Sequence, residues 1–123
     1  MTDKKTRYGF PSADWDLAKA QATDFLVGCA RTRSTTTYSQ LCGEVAAIHL
    51  RPYSFAIIAF LDEICAEEDA RYGVVTASLV VRKDTGMPGN GYFGQLGRLG
   101  HGIDDREAFW RGEVERVWDA YSD

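Results

Sequence analysis

The sequence lacks any long hydrophobic run. Its longest, Phe55 to Leu61, falls far short of the about 20 apolar residues that a spanning helix needs, so no membrane span is expected. Cysteine is scarce: Cys29, Cys42 and Cys65 are odd in number, widely spaced and without a CxxC pair. That pattern argues against a disulfide framework and against a zinc site. No apolar stretch follows Lys4, Lys5 and Arg7, so no secretory leader is expected and the chain reads as cytoplasmic. Internal repeats and an interdomain linker are missing too. Nor is there a basic excess, since 14 Lys and Arg stand against 18 Asp and Glu for a net charge of -4. A dedicated nucleic-acid binder usually carries the opposite sign.

What is present is an ordinary globular composition. With 123 residues, 45% hydrophobic and 26% charged, the chain suits one domain able to build its own core. The charge is uneven. Residues 1–61 hold seven basic and five acidic side chains, whereas 62–123 hold seven and thirteen. An anionic partner should therefore meet the first half.

Residues 1–10 offer no periodic apolar face and read as a flexible segment ahead of one domain over 11–123. A helix is expected to open at Ser12, with Trp15, Ala18, Ala22, Phe25, Leu26 and Cys29 on one face. Thr37 and Gln40 have capping-box spacing and predict a second helix burying Leu41, Val45 and Ile48. A third should run from Pro52 to Tyr72, with Gly73 as a left-handed cap. Val74 to Val81 is a β-branched run of strand length. The turn formers Asp84 to Gly86 and Pro88 to Gly91 follow it, which predicts a β-hairpin with a glycine-rich tip over 86–94. Asp104 and Glu107 mark the start of a last amphipathic helix carrying Trp110, Val114, Val117, Trp118 and Tyr121. Three helices, a hairpin and a C-terminal helix make an α+β order, that of a winged helix-turn-helix.

Catalytic chemistry is thinly represented. Gly89 to Gly94 satisfies GxGxxG, but without a parallel βαβ array it reads as a hairpin tip. His49 and His101, the only histidines, have no partner at metal-ligand spacing and read as surface loop residues. Cys29 and Cys65 fall on apolar helix faces and read as core, leaving Cys42 open. The run Asp62, Glu63, Glu67, Glu68 and Asp69 reads as a solvated face. No cofactor, metal or catalytic residue is expected.

A basic set stands where a winged helix needs it. Arg31 and Arg33 precede the second helix, Arg51, Tyr53 and Ser54 begin the third, and Arg82 and Lys83 lie at the base of the hairpin with Asn90 at its tip. The arginines and Lys83 would contact phosphate, and Tyr53 and Ser54 a groove edge. The expected partner is duplex DNA. The alternative is a protein partner or second copy docked on the smooth Ala56 and Ala59 face, or on the aromatic last helix.

Thr37, Tyr38, Ser39, Gln40, Leu41 and Cys42, the small-residue helix with Ala56 and Ala59, the strand ending Val80 and Val81, and the Gly91 and Tyr92 turn resemble the DNA-binding half of the alkylguanine-DNA alkyltransferases and their alkyltransferase-like relatives. The resemblance covers Thr37 to Gly94 and implies a winged-helix fold whose small-residue helix enters the minor groove. The sequence departs from the family at its centre. The reactive Pro-Cys-His-Arg signature would fall on Thr76, Ala77, Ser78 and Leu79, and the arginine that props open the duplex near Phe55. Alkyl transfer is thereby excluded.

Overall fold

The computed structural model describes residues 5–122. The chain is α+β, with five α-helices and four two-residue strands among the described residues. Strands β1 (Thr6–Arg7) and β2 (Phe10–Pro11) pair antiparallel through a turn in which Tyr8 and Gly9 both take positive φ, 53° and 86°. Two such residues give the twist that a tight hairpin requires. Tyr8 stacks on Trp15 at 5.3 Å, and Phe10 lies on the same indole at 6.1 Å. Part of the segment expected to be loose thus pairs as strands and packs on Trp15, while residues 1–4 lie outside the described residues.

Helix α1 (Ser12–Arg31) buries Trp15, Ala18, Ala22, Leu26 and Ala30 along one face, close to the expected one. It packs against the second, third and last helices. The capping box forms: Thr37 Oγ1 accepts from the Gln40 amide, and Gln40 Oε1 accepts from that of Thr37, both at 3.2 Å. Helix α2 (Tyr38–Glu44) is nevertheless shorter than its apolar pattern suggested. Val45 and Ile48 are buried from the following loop instead, because Gln21 Oε1 takes the Ala46 and Ala47 amides at 3.0 and 2.9 Å and draws that backbone out of the helix.

Helix α3 (Phe55–Tyr72) starts three residues later than Pro52. Ser54 is the effective cap, its hydroxyl accepting from the Ile57 amide at 3.3 Å. Gly73 closes the helix with φ 71°, as its sequence position predicts. The largest correction lies beyond it. No hairpin wing forms between Val74 and Gly94. Thr76–Leu79 is a 3-10 turn, and β4 (Val80–Val81) pairs in parallel with β3 (Thr36–Thr37), Thr36 opposite Val80 and Thr37 opposite Val81. Val75 to Val81 is buried throughout, turn and strand alike, which leaves no wet face for a hairpin.

The glycine-rich string opens helix α4 (Asn90–Arg98), where a hairpin tip was expected. Glycine in a helix costs about 1 kcal/mol relative to alanine, but Tyr92, Phe93 and Leu96 are buried and α4 packs on α3. Helix α5 (Arg106–Tyr121) is capped by Asp105 rather than Asp104; its carboxylate accepts from the Ala108 amide at 3.1 Å. Val114 and Val117 join Ala30 and Leu79 in a second small core.

Candidate nucleic-acid interface

A cavity of about 330 Å³ opens between α3, the start of α4 and Tyr38. Ile57, Ile58, Leu61 and Cys65 of α3 form its apolar wall, and Ala77 of the 3-10 turn faces it. Its polar groups are few and placed. The Tyr38 hydroxyl accepts from the Gly89 amide at 3.0 Å. Tyr92 shares a buried 2.6 Å hydrogen bond with Ser78 Oγ. Asn90 Oδ1 accepts from Arg106, whose guanidinium lies 4.9 Å from the Phe93 ring centre. Burial raises the Asp62 carboxyl above its ordinary value, against the opposing charge of Arg98.

A smaller groove of about 270 Å³ adjoins it, lined by Thr37, Ser39, Gln40, Val81 and Lys83 together with Tyr38, Tyr53 and Arg82. The last three line both hollows. One surface therefore runs from a hydroxyl-, amide- and cation-bearing half into an apolar half. Arg82 is held in a two-pronged ion pair with Asp84 at 3.0 and 2.9 Å. Tyr53 stands at its edge, 88% exposed.

Of the residues expected from sequence, Tyr53, Arg82, Lys83 and Asn90 come together here. Arg51 and Ser54 form the turn that carries Tyr53, with the Arg51 carbonyl accepting from the Ser54 amide and hydroxyl at 3.3 and 2.9 Å. Arg33 is drawn elsewhere. Its guanidinium binds Glu115 and Asp119 of α5 at 3.0 and 3.1 Å and lies over the Trp118 ring. Arg31 is exposed in the last turn of α1 and lines neither hollow. Sequence reasoning missed Tyr38, Ile58 and Asp62. Only Tyr38 left a local signal, as the first residue after the capping-box threonine.

The alternative docking faces also change. Ala56 and Ala59 are half-buried, and the exposed apolar side chains at this end of α3 are Phe55 and Ile58. The α5 aromatics turn inward: Trp110 donates to the Ser78 carbonyl at 2.8 Å and Trp118 to that of Ser34 at 3.1 Å.

Desolvation pushes the Cys42 thiol up to about 11, and burial raises Cys29 and Cys65 as well. All three are protonated at neutral pH. His101, expected as a surface loop residue, is half-buried, pairing with Asp69 at 2.8 Å and meeting the edge of Phe109. Among the described residues no three His, Cys, Asp or Glu side chains gather as a metal site. No protein-family model, curated protein or solved structure matches the chain.

Proposed function

We propose that the protein is a non-catalytic module that binds duplex DNA along the joined groove and cavity. The observation that carries this reading is the sharing of Tyr38, Tyr53 and Arg82 between a cation-bearing polar groove and an apolar hollow. Arg82 and Lys83, with Thr37, Ser39 and Gln40 beside them, are the residue types that hold phosphate and sugar oxygens. An exposed tyrosine at the rim adds a stacking surface. In this reading α2 and α3 serve as the helix pair of a winged helix-turn-helix, and the loop 82–89 stands where a hairpin wing would. Fluorescence anisotropy with a labelled duplex at two salt concentrations tests it. Affinity should fall steeply with salt, and the double variant Arg82→Ala, Lys83→Ala should flatten the log–log slope by about 2, roughly one per phosphate contact. Absence of binding at low salt overturns the proposal.

A second reading has its own observation. Tyr53 and Phe55 are each 88% exposed, with Ile58 at 48% on the next turn. An aromatic cluster of this kind also suits a protein partner. Arg51→Glu with Arg82→Glu separates the two, abolishing DNA binding but leaving an apolar protein contact in place.

A further inference from the structure

Helix α3 is poorly equipped to read a duplex along its length. Between Phe55 and Arg71 it carries no Lys, Arg, Asn or Gln, the side chains that most often read base edges in a groove. The face that begins with the exposed Phe55 and Ile58 continues into Asp62 at the i, i+3, i+7 spacing, so phosphates laid along it would meet a carboxylate. Contact is left to the tip.

At that tip Tyr53 and Phe55 are each 88% exposed. They flank the cap Ser54, whose hydroxyl accepts from the Ile57 amide at 3.3 Å and donates to the Arg51 carbonyl at 2.9 Å. The backbone is held while the rings are bare. Tyr53 lines the groove with Arg82 and Lys83, and Arg51 lies two residues before it. Among the described residues Arg51 and Lys83 make no ion pair, and Arg82 pairs only with Asp84. These cations can meet about three phosphates, against about six to ten for a protein held on duplex DNA mainly by charge. Affinity must draw on the rings as well.

A base stacked on an aromatic ring adds affinity without sequence readout, because every base has a π-face. In an intact duplex those faces are covered by neighbouring bases. An unpaired stretch uncovers them, and its phosphates keep the charge that suits Arg51 and Lys83. The same cations disfavour an apolar protein surface here, since it would desolvate them without a counter-charge.

We propose that Tyr53 and Phe55 form a stacking platform for unpaired bases, so that the ligand of this site is DNA with a single-stranded stretch beside its duplex. The platform rests on the DNA-binding reading and names the form of DNA it takes. Anisotropy of the full chain with two labelled duplexes of one sequence, one intact and one carrying a central single-stranded gap, tests it at low salt. The gapped duplex should bind about tenfold more tightly, the effect of roughly one base stacked on a ring. Tyr53→Leu with Phe55→Leu, which keeps apolar bulk and removes the aromatic faces, should bring the ratio of the two affinities close to one. Tyr53→Trp with Phe55→Trp should preserve it. Equal affinities in the wild type, tighter binding of the intact duplex, or a leucine variant that keeps the preference overturns the platform and leaves the DNA-binding reading standing. Failure to bind either duplex overturns both.

Discussion

Two aromatic surfaces look alike in the sequence and differ in the fold. Trp110 and Trp118 on α5 each give their indole N–H to a backbone carbonyl, and Trp118 is further covered by Arg33. Tyr53, just before α3, and Phe55, its first residue, stand 88% exposed, and Tyr53 lines the groove with Arg82 and Lys83. The cations divide in the same way. Arg33 is paired across the fold with Glu115 and Asp119 of α5, whereas Arg82 is paired only with its near neighbour Asp84 and Lys83 lines the groove. Aromatic and cationic side chains near α5 therefore tie distant parts of the chain together, whereas Tyr53 and Phe55 near the start of α3 stay exposed and Arg82 is paired only locally.

The sharpest way to break this contrast is truncation of the aromatics. Trp110→Ala or Trp118→Ala should destabilise by about 3 kcal/mol, as large-to-small changes in packed sites do. Tyr53→Ala and Phe55→Ala should stay within about 0.5 kcal/mol, the range of surface changes. Urea unfolding of the four variants checks both halves, and equal losses would erase the distinction. Next is the cationic half. Arg33→Ala should leave the salt dependence of DNA binding unchanged while lowering stability by about 1 kcal/mol or less, the range of exposed ion pairs.

Acid titration of stability is a smaller effect with a defined sign. Because Glu68 holds its proton more tightly folded than unfolded, its contribution is fully present below the unfolded carboxyl value. It is lost as pH rises through the folded value. Thermal melts should show Glu68→Gln removing that part of the slope, and an unchanged slope would contradict it. Smallest is thiol reactivity. With its thiol near 11, Cys42 should alkylate slowly at neutral pH, its rate rising about tenfold per pH unit as the thiolate fraction grows. Iodoacetamide labelling followed by mass spectrometry measures this.

Legibility in the sequence followed the range of the interactions. The capping box of Thr37 and Gln40 and the left-handed cap at Gly73 are local, and both were readable. Helix α4 was not, because Gly91, Gly94 and Gly97 argue against a helix and only burial of Tyr92, Phe93 and Leu96 overrides them. The early end of α2 depends on Gln21, 25 residues before the Ala46 amide it holds. The parallel pairing of Thr36–Thr37 with Val80–Val81 spans a still longer stretch. Tyr53, Arg82, Lys83 and Asn90, grouped from the sequence, do line the adjoining hollows. Nothing local distinguished Arg33 from them, since its partners lie more than 80 residues away.

The most direct test of the central claim is anisotropy of one labelled duplex at low salt with the wild type, Arg33→Ala, and Arg82→Ala with Lys83→Ala. Binding that survives the loss of Arg33 and fails with the loss of Arg82 and Lys83 is the predicted result. Equal weakening by both, or no binding by the wild type, contradicts the division between a structural and an available surface.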